Sequence, residues 1–463
     1  ERQRLFTTPR TTWMDYDKKL ISKGGGIFNR SDKEIPLSAE VREMLGIDRD
    51  TLTPDELIRS ILTAPVDLLW NGGIGTYVKA EDESHEQVGD RANNNLRMNG
   101  KDLRCKVVGE GGNLGFTQLG RVEYALSGGR LNTDAIDNSA GVDCSDHEVN
   151  IKIAFRSVLE SKKIDIKKRN KILEQMTDEV AGLVLRDNQL QTLAITTAQQ
   201  QGLAVLESKI RLMQSLEKIG LLDRKVEYLP TDKALAERRQ NQQGLTRPEL
   251  AVLLSYSKMA IYNEVLDSAF PDDAYLERDL MRYFPEAMRK QFPEAIRGHR
   301  LRREIITTMV TNSIVNRTGM SFFFRMKEDT GLPGCDIARA FIIARDIFRI
   351  RDLWVDIAEN ETTLPAQAQA AMYSQASMFL ERVMGWLLRH LPQPLNIDTT
   401  MKQYGDAVEE YLTICDGSVS NALKKAYLAK KQRFLDMGAT EDLAHRIARL
   451  EIASSALDVA RAA

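Results

Sequence analysis

The sequence lacks a charge imbalance: 64 lysine and arginine residues face 66 aspartate and glutamate residues, for a formal net charge of −2. With no excess of either sign there is no global electrostatic case for a nucleic-acid or membrane partner. Cysteine is scarce, and Cys105, Cys144, Cys335 and Cys415 stand without paired spacing. That pattern argues against a disulfide framework or a zinc site and for free thiols in a reducing, cytoplasmic compartment. No apolar run approaches the roughly 20 residues that a membrane span needs. The polar opening from Glu1 to Arg10 is no signal peptide. An initiator methionine is also missing, so the chain is expected to be a piece of something longer. No exact repeat period is found, so a regular solenoid is not indicated.

What is present is an ordinary globular composition, 43% hydrophobic and 28% charged over 463 residues, long enough for two or three domains. Trp13 to Ile21 reads as a short helix, and Gly24-Gly25-Gly26 as a permissive turn. Thr53-Pro54-Asp55-Glu56 carries a helix start with a capping box, and Leu57, Ile58, Ile61 and Leu62 supply its buried stripe. Ala64-Pro65 stops that helix. Val66 to Trp70 then reads as a buried strand running into Asn71-Gly72-Gly73. The polar stretch from Glu81 to Asn95 reads as an exposed connection, with His85 at the surface.

Two further strands are predicted to end in the same way. Lys106 to Val108 runs into Gly109 to Asn113, and a strand near Leu131 to Ile136 runs into Asn138-Ser139-Ala140-Gly141. Between them lies a helix from about Thr117 to Ser127, closed by Gly128-Gly129. This strand, helix, strand unit predicts parallel neighbours whose bends share one rim, where ligands of open α/β sheets bind. Bare backbone and small amides at such a rim leave room for a flat ligand, and a carboxamide pairs well with amide donors and acceptors. The loop Gly109 to Gly115 is also a loose match to a dinucleotide phosphate loop. Glu110 argues against a pyrophosphate there, because its carboxylate would repel the phosphates.

After about Ile151 glycine thins out and helical periodicity takes over. Leu203, Leu206, Ile210 and Met213 recur at helical spacing before Gly220, and Thr246-Arg247-Pro248-Glu249 is a second capping-box start. Further helices are predicted over Arg302 to Asn316, Ile337 to Phe348, Ala366 to Leu391, Met401 to Cys415 and Glu441 to Arg461. Arg302-Arg303-Glu304 and Asn312 to Arg317 read as solvated or paired charge, with an anionic effector as the alternative. Phe322-Phe323-Phe324, Trp354, Trp386 and the Met372 to Met384 stretch read as packing. The fold class is an α/β nucleotide-binding (Rossmann-like, partial) portion over residues 1–150 followed by a large all-α helical region over residues 151–463.

The phrases LLWNGGIGTYVKA, KVVGEGGNLGFTQLGR and GGRLNTDAIDNSAGVDCSDHEVNIKI closely resemble the carboxyl-terminal part of the large bacterial NAD-dependent glutamate dehydrogenases. WMDYDKKLISKGGGIFNRSDKEIPLS, LRDNQLQT, LTRPELAVLLSYSK and LRREIITTMVTNSIVNRTG extend the resemblance over essentially the whole chain. It implies NAD as cofactor, with Asn113, in a turn similar to the EGAN of the small enzymes of the family, near the nicotinamide ribose. It implies that Asn138 lies at the junction of nicotinamide and substrate, and that Asn71, Gly72 and Gly73 skirt the nicotinamide. Gly111 and Gly112 belong to the same cofactor turn. Ser145 falls where the family has a serine that helps hold the side-chain carboxylate of glutamate.

The chain departs from the small enzymes around Ser145, where Asp143, Asp146, His147 and Glu148 replace mainly apolar and aromatic residues. Such acidity disfavours a bound dicarboxylate unless lysines outweigh it. His147 reads as a hydrogen-bonded structural residue, with a general base as the alternative. Asp143, Asp146 and Glu148 lack supporting ligand spacing, so no metal is expected. The family's catalytic lysine, aspartate and pyrophosphate loop have no match here and are expected upstream of Glu1. The implied reaction is NAD-dependent oxidative deamination of L-glutamate to 2-oxoglutarate and ammonia by a homo-oligomer, with this segment inactive alone. Two other readings stand beside it, another amino-acid dehydrogenase and a non-catalytic helical assembly module.

Overall fold

Thr53 caps its helix as the spacing predicts: its hydroxyl accepts from Glu56 N, Glu56 Oε2 accepts from Thr53 N at 2.9 Å, and Pro54 takes the first helical position. The structure is a computed structural model and describes residues 1–414 and 420–462; Cys415, the last residue of one predicted helix, lies outside the described residues. The chain divides into two compact units, residues 1–139 with 246–249, and residues 140–245 with 250–463. It is largely helical. Among the described residues the strands form three two-stranded sheets, all within the first unit.

In the first unit, β1 (Ile35–Pro36) and β2 (Thr51–Leu52) pair antiparallel around α1 (Ala39–Leu45), followed by α2 (Pro54–Leu62). Ile35, Leu45, Leu52, Leu57 and Ala64 form one small core there. The segment from Trp13 to Ile21 makes two separate 3₁₀ turns in place of the predicted helix. Each is capped locally, by Thr12 and by Asp17, and these side-chain-to-backbone bonds compete with α-helix continuation. Next come β3 (Leu68–Asn71), β4 (Val78–Lys79), β5 (Met98–Asn99) and β6 (Val107–Glu110), with β3 parallel to β6 and β4 parallel to β5. Helix α3 (Gln118–Leu126) follows, and Gly128 at φ +98° turns the chain in a conformation that L residues rarely adopt. Val78, Leu103, Cys105, Val108, Phe116, Tyr124 and Leu131 make the second core.

The predicted third strand near Leu131 to Ile136 is absent. Only Arg130 bridges to Val107 in parallel, and the chain then turns into the short helix α4 (Asp134–Asp137). The reason is local: the Asp134 and Asp137 carboxylates accept from the backbone N–H groups of Leu114 and Glu110, so side chains take donors that a strand edge would use.

The second unit begins within α5 (Ser139–Glu160) and continues through α6 (Thr177–Gln201) and α7 (Leu206–Lys218). Then follow α8 (Arg247–Leu266), which belongs to this unit from Leu250 onward, α9 (Glu277–Tyr283), α10 (Arg302–Thr318), α11 (Phe322–Thr330), α12 (Gly334–Ile347) and α13 (Ala366–His390). The chain ends in α14 (Ile397–Ile414), α15 (Asn421–Asp436), α16 (Glu441–Ala453) and α17 (Ala456–Ala462). The predicted Glu441 to Arg461 helix is thus broken at Ser454-Ser455. Phe322, Phe323, Trp354, Trp386, Met372 and Met384 are buried, as packing residues should be. Fully buried Arg345 is satisfied by Asp279 and Asp346 at 2.7–3.1 Å. No helix of the described chain is long and apolar enough to cross a membrane.

Lys209 in α7 is buried, its ammonium donating to Ala198 O at 2.9 Å, and burial lowers its pKa from 10.5 to about 8. Below about pH 8 the folded chain therefore carries the cost of a buried ammonium. Between about 8 and 10.5 the unfolded chain keeps a proton the folded chain has lost, so stability rises with pH across that window. Lys209→Met is expected to stabilise the protein at pH 7 by up to about 3 kcal/mol, less the lost hydrogen bond. In thermal unfolding followed against pH, the gain should fade towards pH 10.5.

Candidate functional site

The parallel register sets Trp70 beside Gly109 and Asn71 beside Glu110, so β3 and β6 run out at the same edge. There Gly111 N and Gly112 N both donate to Asn71 O, at 2.9 and 3.0 Å, fastening the Asn71-Gly72-Gly73 bend to the Gly111-Gly112 turn. Glycine is required at 112: a Cβ would lie 2.6 Å from Gly73 O. At Gly111 a Cβ would come within 2.4 Å of the Trp70 ring. The space at these two glycines is therefore filled by the chain itself, whereas a side chain at Gly73 would meet open space.

The third bend reaches the same rim from α4. Asn138 closes that helix, and its Nδ2 donates to Asn113 Oδ1 at 2.9 Å. Asn113, Gly72 and Gly73 are exposed and Asn138 is half-buried. Asn71 behaves differently. Its side chain turns inward against Gly115, with Nδ2 buried and unpartnered, and it lines a cavity of about 200 Å³ with Leu69, Tyr77, Leu96 and Phe116. Two of the three predicted amides thus meet at the lip, and the third sits behind it.

Beneath the lip is a polar network that the sequence did not reveal. Glu110 is 1% exposed and receives two hydrogen bonds from Arg121 on α3, Nε to Oε2 at 2.7 Å and Nη2 to Oε1 at 2.9 Å. Phe116 N donates to the same carboxylate, and Arg121 Nη2 also pairs with Asp134 at 3.1 Å. Burial pulls Arg121 downward, but its hydrogen bonds to Glu110 and the charges of Glu110 and Asp134 hold it above its ordinary value. Burial raises the Glu110 carboxyl above its ordinary value, opposed by the hydrogen bonds and charge of Arg121. Asp137 accepts from Glu110 N at 3.0 Å and from Asn132 Nδ2 at 2.8 Å, and Arg247 donates to Asn132 Oδ1. Leu114, in the left-handed region at φ +59°, is held by Asp134 through its N–H and by the Thr76 hydroxyl through its carbonyl. Strained non-glycine positions of this kind persist only when their surroundings over-determine them. Glu110 thus organises the rim from within and presents no carboxylate to a ligand.

In the second unit, Ser145 is exposed on α5, and its hydroxyl donates to Val142 O at 2.7 Å. His147 lies on the opposite face of the helix, 2% exposed, with its ring stacked on Tyr283 at 4.4 Å between centroids. Neither ring nitrogen has a hydrogen-bond partner, so the expected hydrogen-bonded histidine is corrected to a stacked one. Asp146 and Asn150 instead bond the Tyr283 hydroxyl at 2.7 and 2.9 Å, and Glu148 pairs with Lys152 at the surface. Burial, reinforced by the charges of Asp187 and Asp146, pushes the Asp143 carboxyl up to about 6.

The family model for the bacterial NAD-glutamate dehydrogenase catalytic domain matches residues 1–198, and that for the glutamate dehydrogenase C-terminal region matches residues 242–463. The chain belongs to the bacterial NAD-glutamate dehydrogenases. Among its relatives, the NAD-specific glutamate dehydrogenase of Pseudomonas aeruginosa is 45% identical over 448 residues, 97% of this chain and 28% of the relative. Those of Mycobacterium tuberculosis and Halomonas elongata are 43% and 42% identical, over 99% and 100% of this chain and 28% and 29% of the relatives. The chain therefore spans under a third of the length of these family members.

In this family member the Glu110–Arg121 pair gives a direct test. Arg121→Met strands a buried carboxylate and is expected to cost roughly 3–5 kcal/mol. Amide exchange across β6 and α3 should speed accordingly, and Glu110→Leu combined with Arg121→Met should recover much of the loss.

Proposed function

We propose that the first unit is the carboxyl-terminal part of a Rossmann-like domain and supplies the nicotinamide rim of an NAD-dependent glutamate dehydrogenase. The observation that carries this is the Asn138-to-Asn113 hydrogen bond at an exposed lip whose two bends are tied down by Asp134 and Asp137. Two amides bonded to each other present the donor and acceptor pattern that a carboxamide can enter by replacing one partner. The residues fit the cofactor in this respect: Asn113 and Asn138 would hold the nicotinamide end, with open space at Gly73 beside them. When bound, NAD supplies the hydride acceptor for oxidation of the glutamate α-carbon, and hydrolysis of the resulting imine gives 2-oxoglutarate and ammonia.

The chain's own residues bind and orient in this reading. Asn113 and Asn138 fix the ring. Asn71, Gly72, Gly73, Gly111 and Gly112 form the floor that keeps these amides in register. Ser145 would take a substrate carboxylate by rotating its hydroxyl away from Val142 O. The proton-transferring lysine and aspartate belong to sequence outside this chain, so the segment alone does not turn over. A homo-oligomer in the cytoplasm completes the proposal, the location supported by the free thiols of Cys105, Cys144 and Cys335.

In the full-length protein, Asn113→Ala and Asn138→Ala are each expected to weaken NAD binding about five- to tenfold, the worth of one hydrogen bond of about 1 kcal/mol. Titration of NAD by fluorescence, with glutamate turnover alongside, makes the comparison. Unchanged affinity and turnover in both variants would favour a non-catalytic assembly module. Strong preference for a branched or aromatic amino acid would move the assignment to another amino-acid dehydrogenase.

A further inference from the structure

We propose that Asp143, His147 and Asp187 form a binding site for a divalent first-row transition ion such as zinc, joining α5 to α6. One ligand atom from each of the three lies within 4.8 Å of the others. Asp143 and His147 are four residues apart on α5 and so share one face, while Asp187 comes from α6. One imidazole and two carboxylates make a mixed nitrogen and oxygen donor set that suits zinc or manganese.

The imidazole is the independent sign that the cluster is built for a ligand. A buried neutral histidine ordinarily places at least one ring nitrogen in a hydrogen bond. His147 places none, although it is 2% exposed. Its ring is fixed by stacking on Tyr283, whose hydroxyl is anchored by Asp146 and Asn150, so orientation is set without occupying either nitrogen. Nε2 stands 4.0 Å from Asp143 Oδ1, and Asp143 Oδ2 is itself buried and unpartnered.

The neighbouring cations do not close the cluster. Lys258 Nζ donates to Gln191 at 3.2 Å, and Arg186 Nε stays 4.0 Å from Asp187. Two carboxylates and a neutral imidazole carry two negative charges, which Lys258 and Arg186 offset in part from outside the cluster and a divalent ion would balance directly. Donors around tetrahedral zinc sit about 3.4 Å apart, so modest rotamer shifts of the two aspartates would close the site. The carboxylates are 26% and 32% exposed, which leaves one side open for a water as fourth ligand. Bound there, the ion would staple the amino-terminal half of α5, the helix that carries Ser145, to α6.

The test uses untagged full-length protein, dialysed against zinc or manganese and then against metal-free buffer, with metal read by inductively coupled plasma mass spectrometry. Wild type should keep about one ion per subunit that both Asp187→Asn and His147→Gln lose. Stripping that ion should accelerate amide exchange in α5 and α6 by about tenfold or more in wild type only. X-ray absorption of the loaded wild type should show one imidazole with oxygen donors at about 2.0–2.2 Å. Wild type that retains no ion, variants with unchanged content, or a sulfur shell in the absorption spectrum would each overturn the proposal. None of these readouts depends on NAD affinity, so they separate this site from the nicotinamide rim.

Discussion

The buried ion pair between Glu110 and Arg121 is the constraint on which the rim depends. Glu110 ends β6, and Arg121 lies on the inner face of α3, so their two hydrogen bonds fix strand to helix across the loop that contains Asn113. The Glu110 N–H then reaches Asp137 and Arg121 reaches Asp134, which brings α4 and Asn138 to the same place. Taking two charges from water costs several kcal/mol per ion before pairing, so such a network persists only when every member is satisfied. Here it is satisfied by Phe116 N, Leu114 N and Asn132 as well. What this network secures is position: two amides held within hydrogen-bonding distance on a surface otherwise made of loop.

A carboxylate in a glycine-rich turn reads from sequence as a repulsive group facing a ligand. In the structure it faces Arg121, and the turn owes its glycines to Trp70 and the Gly73 backbone. The inference against a pyrophosphate at this loop keeps a physical basis, but a different one. The loop's backbone donors are spent within the protein: Gly111 and Gly112 on Asn71 O, Leu114 on Asp134 and Phe116 on Glu110. Little is left to cradle an anion.

Local signals were legible where local chemistry decides the outcome. The Thr53 capping box and the Gly128 turn follow from residues a few positions apart, whereas the parallel pairing of β3 with β6 joins residues 39 positions apart and is only a condition in the sequence. The third strand was misread because Leu131 and Ile136 are buried in the way strand residues would be, while Asp134 and Asp137 redirect the backbone through bonds to residues 20 and 27 positions away. Arg121 was invisible for a related reason. A lone arginine in an amphipathic helix looks solvated until the partner eleven residues earlier is known to lie beneath it. Asp143 and His147 could be paired by helical spacing alone, but Asp187 joins them only through the packing of α6, and the Tyr283 stack is set by α9.

The most direct test is an electron cryomicroscopy structure of the full-length protein with NAD bound. The account predicts the nicotinamide carboxamide about 3 Å from the side-chain amides of Asn113 and Asn138, with the Glu110–Arg121 pair intact beneath them. A nicotinamide ring seated elsewhere, with Asn113 and Asn138 still bonded only to each other, would contradict it.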